Sequence, residues 1–192
     1  MVGIISKPVF NSKLIKGSDT ISTKLTINYN PDVVHSAEDR QLRRSTLLGA
    51  YNLLEELAYL DHQILQIRDR TKILGDSVQN KGLRTNSIKY STMMETMHAK
   101  ISATQPGEGG ITGQVRLREK IAEVYGAVGG YEGKPTNVQI QALDFYTTEV
   151  HKMRVELDNL LLNDLKAYNA AVIRQGFKPV EVISREEFNK WK

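Results

Sequence analysis

Leu47-Leu48-Gly49-Ala50-Tyr51-Asn52-Leu53-Leu54-Glu55-Glu56-Leu57-Ala58-Tyr59-Leu60-Asp61-His62-Gln63-Ile64-Leu65-Gln66-Ile67 is the stretch on which the fold turns. Leu47, Ala50, Leu54, Leu57, Ile64 and Ile67 recur at spacings of three, four or their sums, and Leu74 and Val78 continue the series. That period lines one face of an α-helix and approaches a heptad seam. Asp61 and Thr71 fall near its weaker positions, and charged residues fill the other face. Ser36 can cap the start, with Asp39 three residues on and Glu38 near the positive end of the dipole. The spacing predicts one helix over about 36–79, broken by the region of Gly82. A seam this long serves an internal core or a homodimer equally well.

Downstream, the same periodicity predicts three more helices. The second covers about 85–103, with Ile88, Met94, Met97 and Ile101 inward, and ends in the loop Gln105-Pro106-Gly107-Glu108-Gly109-Gly110. The third covers about 113–128, with Val115, Leu117, Ile121, Val124 and Val128 apolar. After Gly129-Gly130-Tyr131-Glu132-Gly133-Lys134-Pro135, the pair Thr136 and Gln139 forms a capping box. The fourth helix runs to about residue 175, with Ile140, Leu143, Val150, Met153, Leu157, Leu160 and Leu161 inward, and Gly176 suits the C′ stop. Pro179-Val180-Glu181-Val182-Ile183 reads as extended, and Ser184-Arg185-Glu186-Glu187 is a second capping box before Phe188 and Trp191.

Upstream of the first helix the period changes to two. Val9-Phe10-Asn11-Ser12-Lys13-Leu14-Ile15 is a strand, Gly17-Ser18-Asp19 a turn, and 21–28 a second strand with Ile21, Thr23, Leu25 and Ile27 on one face. Asn30-Pro31-Asp32 ends it. An isolated hairpin is marginal in water, so this one either packs on the helices or ends a larger sheet. The expected architecture is mainly α: an antiparallel bundle of about four helices, with a small N-terminal β-hairpin and a short C-terminal extension. The division is 1–33 for the hairpin, 34–178 for the bundle and 179–192 for the extension.

The 192 residues are enough to bury a core without staples. With 40% hydrophobic and 25% charged residues, the composition is that of an ordinary globular chain. The net charge of +4 is spread thinly, and acids interleave with bases, as in Arg116-Leu117-Arg118-Glu119-Lys120. Interleaving marks solvated helix faces and argues against a nucleic-acid patch, for which the cluster Arg40, Arg43 and Arg44 would be the candidate. The chain has no cysteine, which removes disulfides, thiolate zinc sites and cysteine nucleophiles. No apolar run approaches the roughly 20 residues of a membrane span. The first eight residues do not read as a signal peptide.

Motifs that carry chemistry are few. Glu95-Thr96-Met97-His98 is a Glu-x-x-His, the spacing by which di-iron bundles place two ligands on one helix face. Such sites need the motif twice, and neither His62 nor His151 repeats it. Glu95 and His98 are therefore the sole metal candidates, and an ordinary helical histidine is the favoured reading. Gly129-Gly130-Tyr131-Glu132-Gly133-Lys134 departs from a P-loop: Val128 stands where the first glycine belongs, and Pro135 follows the lysine. No Gly-x-Ser-x-Gly elbow is present. Met93, Met94, Met97 and Met153 read as core filling. Tyr51, Tyr59, Tyr90, Tyr125 and Tyr146 suit half-buried positions with a wet hydroxyl. No catalytic residue and no cofactor is expected.

The order of features resembles a known family. A strand closing in Asn30-Pro31-Asp32 leads into a very long helix. Leu117-Arg118-Glu119-Lys120-Ile121-Ala122-Glu123-Val124-Tyr125-Gly126 follows a Gly-Pro loop. A Gly-rich loop closing in Pro135-Thr136 then precedes a helix ending in Asn163-Asp164-Leu165-Lys166-Ala167-Tyr168-Asn169. This order is similar to the C-terminal region of large bacterial sortilin-like, BNR-repeat β-propeller proteins, often labelled glycosyl hydrolases. Residues 16–32 resemble the last hairpin of the Ig-like unit before the helices in that family. The resemblance spans about 16–179. It implies neighbouring propeller and Ig-like domains, and export to the periplasm, the outer membrane or beyond. It carries over no catalytic residue, and the tail beyond Pro179 departs from the pattern.

Three functions are therefore weighed. The first is a non-catalytic structural or protein-interaction module, the C-terminal domain of a larger exported propeller protein. The second is an accessory domain or part of a glycoside hydrolase-like enzyme. The third is a nucleic-acid binder. The first is the expectation.

Overall fold

The computed structural model describes residues 9–28, 34–103 and 115–190. The long seam forms one helix, α1 (Ala37–Ser77), with Ser36 and Asp39 closing the reciprocal cap. A break at Val78 turns the chain back into α2 (Lys81–Ile101), capped by the side chain of Asn80. Gly82, expected to break the helix, lies in its first turn instead, because Asn80 already supplies the cap. Next come α3 (Leu117–Gly129) and α4 (Asn137–Asn159), the latter capped by Thr136 and Gln139. A π-helical turn over Leu160–Asp164 joins α4 to α5 (Leu165–Arg174). Gly176, at φ +79°, reverses the chain, and the tail ends in α6 (Arg185–Asn189), with Ser184 and Glu187 forming its capping box. The architecture is mainly helical, with four long helices and a two-stranded hairpin at the N-terminal side.

The contacts show how the helices run. Along α2, Ile88 approaches Gly75, Glu95 meets Arg68 and His98 meets Asp61, so α2 descends antiparallel to α1. The descent continues in α3, whose last turn reaches Arg43 near the start of α1. Along α4, Leu143 lies against Gly49 and Arg154 bonds Gln63, so α4 ascends parallel to α1. It carries α5 up to α2, where Tyr168 meets Ser87. The bundle is thus one long helix up, two stacked helices down and one interrupted helix up.

Leu57, Leu60, Ile64, Ile67, Met94, Met97, Ile121, Val150 and Leu157 fill the core. Removing most of a side chain such as Leu60 at its centre costs about 2–5 kcal/mol. Of the residues expected inward, Ile88 and Val115 are exposed. The earlier start of α2 places Leu83 and Ser87 on its buried face instead. The π turn has a packing reason. Met153, Leu157 and Leu160 are buried at spacings of four and three, and then Leu165, Tyr168 and Val172 take over. The gap of five between Leu160 and Leu165 would swing an α-helical stripe out of the core, and the π turn absorbs the extra residue.

The hairpin consists of β1 (Val9–Lys16) and β2 (Asp19–Thr26), antiparallel, with Phe10 opposite Leu25 and Leu14 opposite Ile21. Gly17, at φ +62°, takes the position that a two-residue type II′ turn needs left-handed. Alternation puts Phe10, Leu14, Ile21 and Leu25 on one face, with Asn11, Lys13, Ser22 and Lys24 on the other. Every residue of both strands is exposed. The expected turn Asn30-Pro31-Asp32, the loop at 105–110 and Trp191 lie outside the described residues.

Candidate functional site

The first candidate residues are diverted to separate partners. Glu95, half exposed on α2, accepts a hydrogen bond from Arg68 Nη1 at 2.9 Å. Arg68 also donates to Asp69 at 2.7 Å. The Asp69 bond, more than the Glu95 bond, holds the Arg68 guanidinium above its usual pKa, with burial opposing both. These groups line a groove of about 700 Å³ between α1 and α2, with Lys72, Ser91 and Thr92. His98, one turn further along α2, belongs to another site: its Nδ1 stands 2.7 Å from Asp61 Oδ1. Among the described residues, no three of His, Asp and Glu gather as a metal ion would need.

Asp61 and His98 form a polar pair between α1 and α2. Both side chains are largely shielded, at 17% and 16% exposure. A carboxylate on Nδ1 fixes the tautomer and leaves Nε2 as the nitrogen for other work. Beside the pair lies a cavity of about 430 Å³. Leu54, Leu57, Ala58, Leu65, Ile101 and Phe188 form its apolar walls, and Glu55, Asp61, His62 and Arg118 its polar groups.

The sequence points to His98 but gives no sign of Asp61 as its partner. The signal lies in the hairpin of α1 and α2: His98 lies about as far after the turn at 78–80 as Asp61 lies before it. Of the arginine cluster, Arg43 is bound at a helix end and Arg44 is exposed. Arg43 Nε donates to the carbonyl of Val128 at 3.1 Å and its Nη2 to that of Gly129 at 2.9 Å. Both are end carbonyls of α3, where the helix dipole favours a cation. The methionines Met94, Met97 and Met153 are in the core.

No protein-family profile, curated protein or solved structure is similar to this chain. Among the described residues, no helix is long and apolar enough to cross a membrane.

Proposed function

We propose that the chain is a structural or protein-interaction module whose hairpin completes the β-sheet of a neighbouring domain while the bundle braces it. The observation that carries this reading is the uncovered apolar face of the hairpin. Val9, Phe10, Leu14, Ile15, Ile21 and Leu25 are 49–68% exposed, and four of them share one side of the sheet. Two strands with an open hydrophobic face are not stable alone in water, and open edges invite pairing. The resemblance to exported BNR-repeat proteins names an Ig-like unit and a propeller as the neighbours, and the envelope or the exterior as the place.

The test is the size and location of the native product, detected with antibodies to this chain in fractionated extracts. The expected band is several times larger than 21.6 kDa and lies in the envelope or secreted fraction. A cytoplasmic band at the chain's own mass would overturn the assignment.

One observation favours a second reading, part of a glycoside hydrolase-like enzyme. Glu55 and Asp61 line one cavity, and paired carboxylates are the machinery of glycoside hydrolysis. Turnover of chromogenic glycosides that vanishes in Asp61→Asn would support it, and turnover by the native product that survives Asp61→Asn and Glu55→Gln would remove it.

A further inference from the structure

Residues 177–184 form neither helix nor strand, yet their backbone is bonded as a strand's would be. Asn169 Oδ1 accepts from the N–H of Val180 at 2.8 Å, and Asn169 Nδ2 donates to its carbonyl at 2.9 Å. Both groups of Val180 therefore face the same side, and one amide side chain makes the two bonds of a ladder partner. The same device recurs three residues later. Gln66 Oε1 accepts from the N–H of Ile183 at 2.9 Å, and Gln63 Nε2 donates to its carbonyl at 3.0 Å. Between these clamps, Val180 and Ile183 are only 2% and 8% exposed. Beyond them, Arg185 lies over the Tyr59 ring at 4.7 Å and pairs with Glu56 at 2.9 Å.

Main-chain bonds that ignore side-chain identity, with pockets for spaced aliphatic residues, are the elements of a peptide-docking groove. Here its occupant is the chain's own tail. We infer that this groove is an interface between copies: it also takes the tail of a second molecule, by reciprocal exchange. A second copy carries the identical segment, so every clamp and pocket can be refilled without a new contact. The device that permits exchange is Gly176. Its φ of +79° folds the tail back, and the space where its Cβ would stand is open to at least 4 Å. Should Gly176 take a helical φ, the tail would continue along the axis of α5 and leave its own groove. Closed and exchanged forms then differ in this hinge and in concentration, and hardly in contacts.

The absence of cysteine permits a clean cross-linking test on the full chain. One preparation carries Asn169→Cys and another Val180→Cys; the two are mixed, equilibrated and oxidised. A disulfide-linked dimer on a non-reducing gel is expected, increasing with protein concentration. Adding Gly176→Ala to both preparations penalises each closed hinge by roughly tenfold, because an L-residue resists a left-handed φ, and the dimer yield should rise accordingly. A chain with both cysteines shows whether the geometry closes a disulfide. If it does while the mixture yields no dimer at any concentration, with or without Gly176→Ala, exchange is overturned. A dimer seen by sizing without the mixed disulfide places the contact elsewhere and overturns it too. If the double variant fails to close, amide exchange of Val180 and Ile183 in the unmodified chain decides. Opening well short of global unfolding is expected, and exchange only through global unfolding overturns the inference.

Discussion

Ser87 Oγ stands 2.7 Å from the hydroxyl oxygen of Tyr168, joining α2 to α5 inside the core. Ser87 Oγ also donates to the carbonyl of Leu83 at 2.8 Å, so its one proton is committed and Tyr168 is the donor between them. The two ends of this bond therefore differ in what their removal leaves behind. Tyr168→Phe removes a donor and costs about 0.5–1.5 kcal/mol, whereas Ser87→Ala strands a buried hydroxyl and costs about 1–3 kcal/mol. Urea denaturation of the two variants should rank Ser87→Ala as the less stable. Equal losses would mean that Tyr168 finds another acceptor.

The same tyrosine makes the stability of the fold sensitive to alkaline pH. Burial pushes the Tyr168 phenol up, only partly offset by Ser87 and the charge of Arg70. Burial, then the nearby Asp164 carboxylate, raises Tyr90, whose ring packs edge-on against Tyr168 at 4.9 Å. A raised folded pKa on an acid means that the folded state holds its proton longer than the unfolded chain. Stability is therefore full below the ordinary phenol pKa of about 10 and falls as pH rises through it. Following phenolate absorbance, Tyr90 and Tyr168 should ionise above the ordinary phenol range. Stability measured across that range should decline with increasing pH.

Arg43 holds two end carbonyls of α3 with two different nitrogens. Arg43→Ala should cost about 1–2 kcal/mol, combining lost charge-assisted bonds with the lost cation at the negative helix end. Arg43→Lys should recover less than half of it, since a single ammonium cannot reproduce the two-pronged donor. Thermal unfolding checks both, and a full rescue by lysine would reduce the role of Arg43 to charge alone.

The π turn gives a prediction about length. Deleting Leu162, which is 73% exposed, should convert the π turn to α and leave Leu165, Tyr168 and Val172 facing inward. Deleting exposed Val155 within α4 should rotate everything after it by about 100° and unfold much of the bundle. Melting temperatures of the two deletions should differ strongly. Similar losses would show that the interruption is not what keeps the stripe in register.

The helices were legible because burial acts on the 3.6-residue period: α1 is bounded within about two residues of the expectation, and both Thr136 and Ser184 cap as their spacing implies. The start of α2 was obscured by Gly82, a breaker by propensity that costs little in a first turn already capped by Asn80. The π turn left one trace, the five-residue step from Leu160 to Leu165. The stacking of α2 and α3 along α1 left none, because each shows only its own inward stripe. Of the candidate site, Glu95 and His98 were legible as a motif. Their separation onto Arg68 and Asp61 depends on which residues of α1 stand opposite, and that is a property of the pair of helices. The clamps of Asn169, Gln63 and Gln66 are likewise invisible in sequence, since an amide on a helix face ordinarily meets water.

With 41 residues at 1.5 Å each, α1 is a rod about 60 Å long. Its base follows the hairpin, its far end turns into α2, and its middle bears Gln63 and Gln66. A neighbour gripping the hairpin therefore holds the molecule by one tip. Tension applied there runs lengthwise through α1 and meets the rest of the bundle in shear, with many side chains resisting at once. The tail runs antiparallel along one side of that rod, from Lys178 beside Arg70 to Arg185 beside Glu56, so a pull on its far end lifts one clamp at a time. The two attachments thus differ in mechanical character: the tip bears load, while the tail can release without the rod giving way.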